Sequence, residues 1–213
     1  MVKISPSILS ADFAILGAEV EDIRKAGAEM AHIDVMDGMF VPNMSFAFPV
    51  ISSIRKVSEI FFDVHLMIEK PERYIDRFID SGADLITFHL EATDDVDGCI
   101  EMIKARGIKA AVSVKPNTPI EAVYPYLDRC DMILVMTVEP GYGGQELIPF
   151  CLDKVKTLRE EINRRGLNVD IQVDGGINEK TSKDAIAAGA NVLVAGSAVF
   201  KYADRKAAID VLR

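Results

Sequence analysis

Short apolar runs rich in β-branched residues alternate with longer amphipathic segments about eight times along this chain of 213 residues. The runs, which predict strands, lie near residues 4–8, 29–35, 60–66, 84–90, 109–114, 131–137, 169–174 and 192–196. Strands that alternate with helices predict a parallel sheet. Eight such units in a chain of this length indicate an α/β fold, in which the sheet closes into a single-domain (β/α)8 TIM barrel over residues 1–213.

The alternative to a barrel is an open, doubly wound sheet. Dinucleotide-binding sheets of that kind carry Gly-x-Gly-x-x-Gly after their first strand, and this chain has no such motif there. Three helical segments also end just before a glycine, at Gly27, Gly82 and Gly189, where a positive φ is expected. Both observations favour the regular βα repeat of a barrel.

The composition limits the classes of partner. The net charge is −9 and no run of Lys or Arg occurs, so neither nucleic acid nor a membrane is an expected partner. The three cysteines have neither an even count nor a metal-ligand spacing, which predicts reduced thiols. No signal-peptide core is present, and no apolar stretch approaches about 18 residues. We therefore expect a soluble, cytoplasmic protein, in which an anionic substrate would need a local positive site.

Four polar side chains stand near the ends of three predicted strands: His32, Asp34, His65 and Asp174. Side chains alternate between the two faces of a strand, so His32 and Asp34 point the same way. Polar residues that point into a barrel are costly unless they meet a ligand, a metal or a hydrogen-bond partner. Two imidazoles and two carboxylates suit one divalent cation such as Zn²⁺, Fe²⁺, Mn²⁺ or Co²⁺. The other interpretation is a buried network in which these side chains satisfy one another.

Two further polar residues lie close to this set. Asp63 shares its strand face with His65, so we expect it to orient a metal ligand rather than to bind the metal. His89 also ends a strand, but no carboxylate lies two residues before it. We expect His89 to be structural or to line the pocket.

Glycine-rich loops follow the last three predicted strands. They are residues 140–145 (PGYGGQ), 174–176 (DGG) and 196–197 (GS). Glycine lets backbone N–H groups approach an anion closely, and barrels often hold phosphate in the loops after strands seven and eight. Tight turns are the other use of glycine, but three such loops at adjacent strand ends favour a phosphate site.

The two predicted sites together support a mechanism. A sugar phosphate held by the glycine loops would lay its carbonyl across the metal, which polarises it and stabilises an enediolate. Asp34 and Asp174 belong to the second and seventh strands, so they can flank such a substrate. One carboxylate would remove the proton next to the carbonyl and the other would return a proton on the opposite face. The expected result is inversion of one stereocentre.

Six motifs in this chain resemble those of the ribulose-phosphate 3-epimerase family. They are SPSILSAD at 5–12, HIDVMDG at 32–38, FVPN at 40–43, DVHLM at 63–67, PGYGGQ at 140–145 and VDGGIN at 173–178. The resemblance covers nearly the whole chain and implies a (β/α)8 barrel that interconverts D-ribulose 5-phosphate and D-xylulose 5-phosphate in the pentose phosphate pathway. It further implies one divalent metal held by His32, Asp34, His65 and Asp174, with the two aspartates as the acid–base pair.

The resemblance also implies substrate contacts and an assembly. The implied substrate-binding residues are Ser7, His65, Gly141, Tyr142, Gly143, Gly144, Gly175, Gly176, Gly196 and Ser197. Met36, Met67 and Met136 match pocket methionines of the family, although their pattern alone would place them in the core. Family members form dimers or larger homo-oligomers, so a homo-oligomer is expected.

The chain departs from the family pattern in the loop after the second strand. It has Met39 where the family usually has His, and Ala47-Phe48 where the family has Gly-Pro. Because this loop lies near the non-phosphate end of the substrate, D-allulose 6-phosphate is the alternative substrate. Two further alternatives are a Schiff-base aldolase with Lys115 as nucleophile and a sugar-phosphate binding protein without activity.

Overall fold

Eight parallel strands form one sheet within residues 2–213, the part of the chain that the computed structural model describes. The strands are β1 (Lys3–Pro6), β2 (Met30–Met36), β3 (Phe61–Met67), β4 (Leu85–His89), β5 (Lys109–Val114), β6 (Met132–Met136), β7 (Asp170–Asp174) and β8 (Val192–Ala195). The hydrogen-bonded ladder runs β1-β8-β7-β6-β5-β4-β3-β2, and a parallel bridge between Ser7 and His32 joins its two ends. The predicted barrel is therefore confirmed, and the doubly wound alternative is wrong.

Helices connect the strands on the outside of the barrel. The α-helices are α1 (Leu16–Lys25), α2 (Phe48–Arg55), α3 (Ile75–Asp80), α4 (Val96–Ala105), α5 (Phe150–Arg165), α6 (Glu179–Ala188), α7 (Ser197–Phe200) and α8 (Arg205–Asp210). Short 3₁₀ helices lie at Ile8–Ser10, Phe13–Ile15, Pro71–Arg73, Leu90–Ala92 and Ile120–Tyr126. The last of these takes the place of an α-helix between β5 and β6. It contains Pro125, which has no amide hydrogen for an α-helical bond and crowds the preceding turn.

The strands divide the buried residues into two regions. Outward-facing residues such as Ile33 and Val35 pack under the helices in one large apolar core, as their alternation predicts. A smaller cluster closes the amino-terminal end of the barrel: Met30, Leu85, Ala111, Met132 and Val192. Nearer the carboxyl ends of the strands the inward-facing side chains are polar, and they include His32, Asp34 and His65.

The predicted glycine positions at three helix ends are confirmed. Gly27, Gly82 and Gly189 have φ values of +93°, +109° and +115°. A side chain is strained at such angles, so glycine ends each helix and turns the chain towards the next strand. Among the described residues no helix is long and apolar enough to cross a membrane.

The loop after β2 ends at Ala47, because α2 begins at Phe48. The Phe48 ring packs against Phe78 of α3 with a centroid distance of 4.5 Å, and Phe46 packs against Phe13 at 5.5 Å. These two rings anchor the loop to the outside of the barrel. Phe40 instead lies over His89 at 4.8 Å, beside the candidate site.

Candidate metal and substrate site

The four side chains that the sequence singles out meet at the carboxyl ends of β2, β3 and β7. One ligand atom from each of His32, Asp34, His65 and Asp174 lies within 4.8 Å of the other three. His65 Nδ1 is 3.2 Å from Asp34 Oδ1 and 3.8 Å from Asp174 Oδ2, and His32 Nε2 is 3.3 Å and 3.7 Å from the same two atoms. The β2–β3 register causes this meeting, because it pairs Asp34 with His65.

Asp63 fixes which nitrogen of His32 faces the cluster. Asp63 Oδ2 lies 2.7 Å from His32 Nδ1 and also accepts hydrogen bonds from Ser5 Oγ and Gln172 Nε2. All four of these side chains are fully buried. An ionised carboxylate can only accept, so the neutral His32 ring carries its hydrogen on Nδ1, and Nε2 is the nitrogen that can offer a lone pair to a cation. The orienting position predicted for Asp63 is the one that the structure gives it.

The donor set fits a divalent cation. His32 Nε2 and His65 Nδ1 face each other at 3.4 Å, and two carboxylates lie beside them. Facing lone pairs repel each other, and so do neighbouring carboxylates, unless positive charge lies between them. Two imidazoles and two carboxylates are ligands of Zn²⁺, Fe²⁺, Mn²⁺ and Co²⁺, and a carboxylate behind a ligating histidine is a common feature of such sites.

The charges of the cluster shift its pKa values in different directions. Burial disfavours a charged His32, but Asp63 and Asp34 attract the imidazolium and raise its pKa well above the usual value. Burial alone would raise the pKa of Asp34, but His32 and His65 outweigh it and lower that pKa. Burial and then the charge of Asp34 raise the pKa of Asp174 to about 6. The two carboxyl groups therefore differ in acidity, and Asp174 is the weaker acid of the pair.

Replacing Asp63 by Asn should loosen His32 and destabilise the fold. The variant loses the carboxylate that accepts three buried hydrogen bonds, and bonds to charged groups contribute about 1.5–3 kcal/mol each. We expect the free energy of unfolding to fall by about 2–4 kcal/mol and metal affinity to fall about 10–100-fold. Urea denaturation and metal titration measure these two effects.

The stabilisation of the fold by Asp63 should depend on pH. Burial opposes ionisation of Asp63, but His32 lowers its pKa. The stabilisation by the Asp63 carboxylate is therefore complete above a pH of about 4 and is lost as the pH falls further.

Ser5→Ala is the matched control for that variant. It removes one donor to Asp63 and leaves the contact between Asp63 and His32 in place. A loss of metal affinity as large as that of Asp63→Asn would show that His32 is not held by Asp63.

The glycine-loop residues line one large cavity with the two aspartates. The cavity has a volume of about 1390 Å³ and is bordered by Asp34 and Asp174. Its lining includes Ser7, Gly141, Tyr142, Gly143, Gly144, Gly175, Gly176, Gly196 and Ser197. Gly176 has a φ of +69°, and a Cβ there would collide with the backbone of Leu147. Glycine is thus required for two loops to approach each other at this end of the cavity.

The other predicted contacts have additional partners. Ser7 Oγ donates a hydrogen bond to Asp34 Oδ2 at 2.6 Å. This bond orients the carboxylate so that its other oxygen, Oδ1, faces the histidines. The Tyr142 hydroxyl donates to the carbonyl of Pro42, so this side chain joins the loops after β2 and β6. Met36, Met67 and Met136 line the cavity as buried side chains.

Two residues near the site have roles that the sequence pattern did not reveal. His89 Nε2 lies 2.9 Å from His65 Nε2, and its other nitrogen faces Glu91. The sequence contained a sign of this contact, because Glu91 lies two residues after His89.

Lys115, the nucleophile of the aldolase alternative, places its ammonium group 3.9 Å from the centre of the Phe40 ring. This cation–π contact does not favour the aldolase alternative.

The relatives of this chain agree with the activity that the site geometry supports. The model of the Ribulose-phosphate 3 epimerase family matches residues 3–200. A ribulose-phosphate 3-epimerase of Bacillus subtilis is 47% identical, covering 100% of this chain and 99% of its own. One from Eremothecium gossypii is 45% identical over 100% and 93% of the two chains, and a cytoplasmic isoform from Oryza sativa is 43% identical over 99% and 92%.

Solved structures share the fold at much lower identity. A 3-hexulose-6-phosphate synthase from Salmonella typhimurium has a TM-score of 0.69 and 20% identity, covering 100% of this chain and 96% of its own. A tryptophan synthase α-subunit from Pyrococcus furiosus has a TM-score of 0.72 and 16% identity, covering 100% and 98%. At this level of identity the similarity establishes the barrel alone.

Proposed function

We infer from its relatives that this chain, which belongs to the ribulose-phosphate 3-epimerase family, interconverts D-ribulose 5-phosphate and D-xylulose 5-phosphate with a divalent metal. One observation carries the proposal: the carboxyl groups of Asp34 and Asp174 lie beside a pair of histidines in one cluster, and both border the large cavity. Epimerisation through proton transfer needs one carboxylate that accepts a proton and one carboxylic acid that donates.

The aspartates move the proton. In one direction the Asp34 carboxylate accepts the proton at C3 of the substrate, while Asp174, the weaker acid of the pair, carries the proton to be donated. Asp174 then donates its proton to the opposite face of C3, and the two groups exchange roles in the reverse direction. Ser7 supports this step, because its hydroxyl orients Asp34 Oδ2. A bound divalent metal would polarise the C2 carbonyl and lower the cost of the negative charge that develops on the substrate oxygens.

His32, Asp34, His65 and Asp174 would hold that metal, and the loops after β6, β7 and β8 would hold the phosphate. Gly175 and Gly176 have φ values of +122° and +69°, and Gly196 precedes α7. Backbone N–H groups in such loops can approach a phosphate without side chains between them. This supports an arrangement in which the phosphate is anchored at one end of the cavity and C2 and C3 lie over the aspartates.

We also propose a cytoplasmic location and a homo-oligomeric state for this single barrel domain. The Oryza sativa relative described as a cytoplasmic isoform supports the location. Exposed apolar side chains on one side of the barrel, Phe13 and Ile15, support a contact between copies of the chain.

The substrate test compares ribulose 5-phosphate with allulose 6-phosphate on one metal-analysed sample. Of the residues that depart from the family pattern, Phe48 packs against α3 and Met39 is 71% exposed, and neither borders the large cavity. We therefore expect kcat/KM to favour the five-carbon substrate by at least about tenfold, within the range that one methylene-sized difference gives. A preference for allulose 6-phosphate would contradict the proposed substrate and leave the acid–base chemistry intact.

A further inference from the structure

All three histidines of the chain lie in one hydrogen-bonded cluster that extends beyond the candidate metal ligands. His65 Nε2 is 2.9 Å from His89 Nε2, and both rings are fully buried. The two rings stack with a centroid distance of 5.0 Å. A contact between two ring nitrogens at this distance needs one hydrogen, so one ring donates and the other accepts.

Glu91 determines which nitrogen of His89 can carry a hydrogen. Glu91 Oε2 lies 3.3 Å from His89 Nδ1. Its other oxygen, Oε1, accepts from the backbone N–H of Lys115 at 2.8 Å and from the Thr118 hydroxyl. Burial opposes ionisation of Glu91, but hydrogen bonds from His89, from the Thr118 hydroxyl and from the backbone of Lys115 outweigh it and lower its pKa to about 2. Glu91 is thus a carboxylate that only accepts.

The carboxylate of Glu91 determines the tautomer of His89, and His89 in turn determines the tautomer of His65. Because Glu91 accepts, the hydrogen of neutral His89 lies on Nδ1, and His89 Nε2 has a lone pair. His65 must then donate from Nε2, which leaves the lone pair of His65 on Nδ1. That atom is the one that lies 3.2 Å from Asp34 and 3.8 Å from Asp174.

We propose that Glu91, acting through His89, is a positioning residue that keeps His65 in the tautomer able to bind a cation through Nδ1. The inference rests on the proposed function, because it concerns the metal site that this function uses. Both residues act outside the ligand set. They mirror Asp63, which sets the tautomer of His32 from the other side of the site.

The opposite tautomers would be stable in this site without Glu91. If His89 carried its hydrogen on Nε2, it would donate to His65 Nε2, and His65 Nδ1–H would point at Asp34 Oδ1. Every contact would then be satisfied except the one between His89 Nδ1 and Glu91, where two acceptors would face each other at 3.3 Å. The carboxylate of Glu91 therefore decides between a lone pair and a hydrogen at the metal site.

Glu91→Gln tests this inference with almost no change of shape. The amide oxygen of Gln is expected to keep the two donors from Lys115 and Thr118, so its NH₂ group would face His89 Nδ1. His89 would then have to accept at Nδ1 and donate from Nε2, which puts the hydrogen of His65 on Nδ1. We expect the Kd for Zn²⁺, measured by competition with a chromophoric chelator, to rise about 10–100-fold.

Long-range ¹H–¹⁵N NMR spectra of the zinc-loaded chain give a readout besides activity. With only three histidines, each ring can be assigned. We expect His89 to be protonated on Nδ1 and His65 on Nε2 in the wild-type chain. Protonation of His89 on Nε2 in that sample would overturn the inference even if the Gln variant failed to fold.

Two controls separate tautomer control from charge and from loop packing. Glu69→Gln removes the same charge from the same small cavity beside Phe40, whereas the hydrogen-bond partners of His89 are His65 and Glu91. Thr118→Val removes a hydrogen bond that ties the loop after β5 to Glu91, and it leaves the contact of Glu91 with His89. Both controls should keep the wild-type Kd for Zn²⁺ and the wild-type tautomers.

An unchanged zinc affinity and an unchanged His65 tautomer in Glu91→Gln would overturn this inference and leave the proposed function standing. A loss of affinity in Glu69→Gln or Thr118→Val as large as in Glu91→Gln would also overturn it, because charge or loop packing would then be the cause. A wild-type chain that binds no zinc and is active without metal would overturn the proposed function, and this inference with it.

Discussion

Asp34→Asn and Asp174→Asn should each lower kcat/KM for ribulose 5-phosphate by at least about a thousandfold while the barrel remains folded. Acid–base catalysis by one positioned group contributes about 10²–10⁴-fold, and each aspartate is also a candidate metal ligand. Asn keeps the size of Asp but cannot accept or donate the proton. A coupled assay for xylulose 5-phosphate measures the loss, circular dichroism checks the fold, and metal analysis separates catalysis from ligation.

Exchange of the C3 hydrogen with solvent tests the two-carboxyl scheme more sharply than the overall rate. When one aspartate is replaced, the remaining one can still remove and return a proton on its own face. In each variant, deuterium from solvent should therefore enter C3 of one epimer faster than that epimer is converted into the other. The epimer that exchanges should differ between the two variants. Asp153→Asn, an exposed carboxylate on α5, is the control and should behave as wild type. Epimerisation at the wild-type rate in either Asp34→Asn or Asp174→Asn would refute the scheme.

The metal cluster could be predicted because it depends on two local rules. Residues two apart on a strand share a face, and the carboxyl ends of parallel strands meet at one end of a barrel. His32, Asp34, His65 and Asp174 obey both rules, so their meeting within 4.8 Å follows from strand assignment alone. The same parity predicted that Asp63 orients a metal ligand, and the structure shows that its partner is His32 Nδ1.

The support from His89 and Glu91 could not be predicted in the same way. His89 has no carboxylate two residues before it on its own strand, and its partner Glu91 lies two residues after it, in the 3₁₀ turn that follows β4. The contact between His89 and His65 depends on the stagger between β3 and β4, which pairs His65 with Thr87. Local periodicity carries no information about that stagger.

The loop after β2 illustrates a second limit. Its three phenylalanines pack against Phe13, Phe78 and His89, which belong to three different elements. Which neighbour an aromatic side chain finds is decided by packing between elements that are distant in sequence. Sequence pattern therefore identified the loop, and only the structure distinguishes the ring beside the site from the two that anchor the chain.

Removal of divalent metal should abolish epimerisation and destabilise the chain. Without a cation the site keeps two neighbouring carboxyl groups beside two imidazoles, and the polarisation of the C2 carbonyl is lost. Dialysis against a chelator should reduce kcat by at least about a thousandfold, and addition of Zn²⁺, Co²⁺, Mn²⁺ or Fe²⁺ should restore it for those cations that the site accepts. A ligand present at about a thousand times its Kd stabilises a fold by about 4 kcal/mol, so thermal unfolding should shift upwards when the metal is returned.

His65→Ala is the matched variant for this experiment, because it removes one ligand and leaves both aspartates. We expect reduced metal content after purification and a smaller upward shift of the unfolding temperature at the same concentration of added metal. Since His65 touches both carboxyl groups at 3.2 and 3.8 Å, its loss should also leave them repelling each other without a cation between them. Full metal occupancy in His65→Ala would remove His65 from the ligand set, and full activity of the chelated wild-type chain would mean that the two aspartates move the proton without a metal.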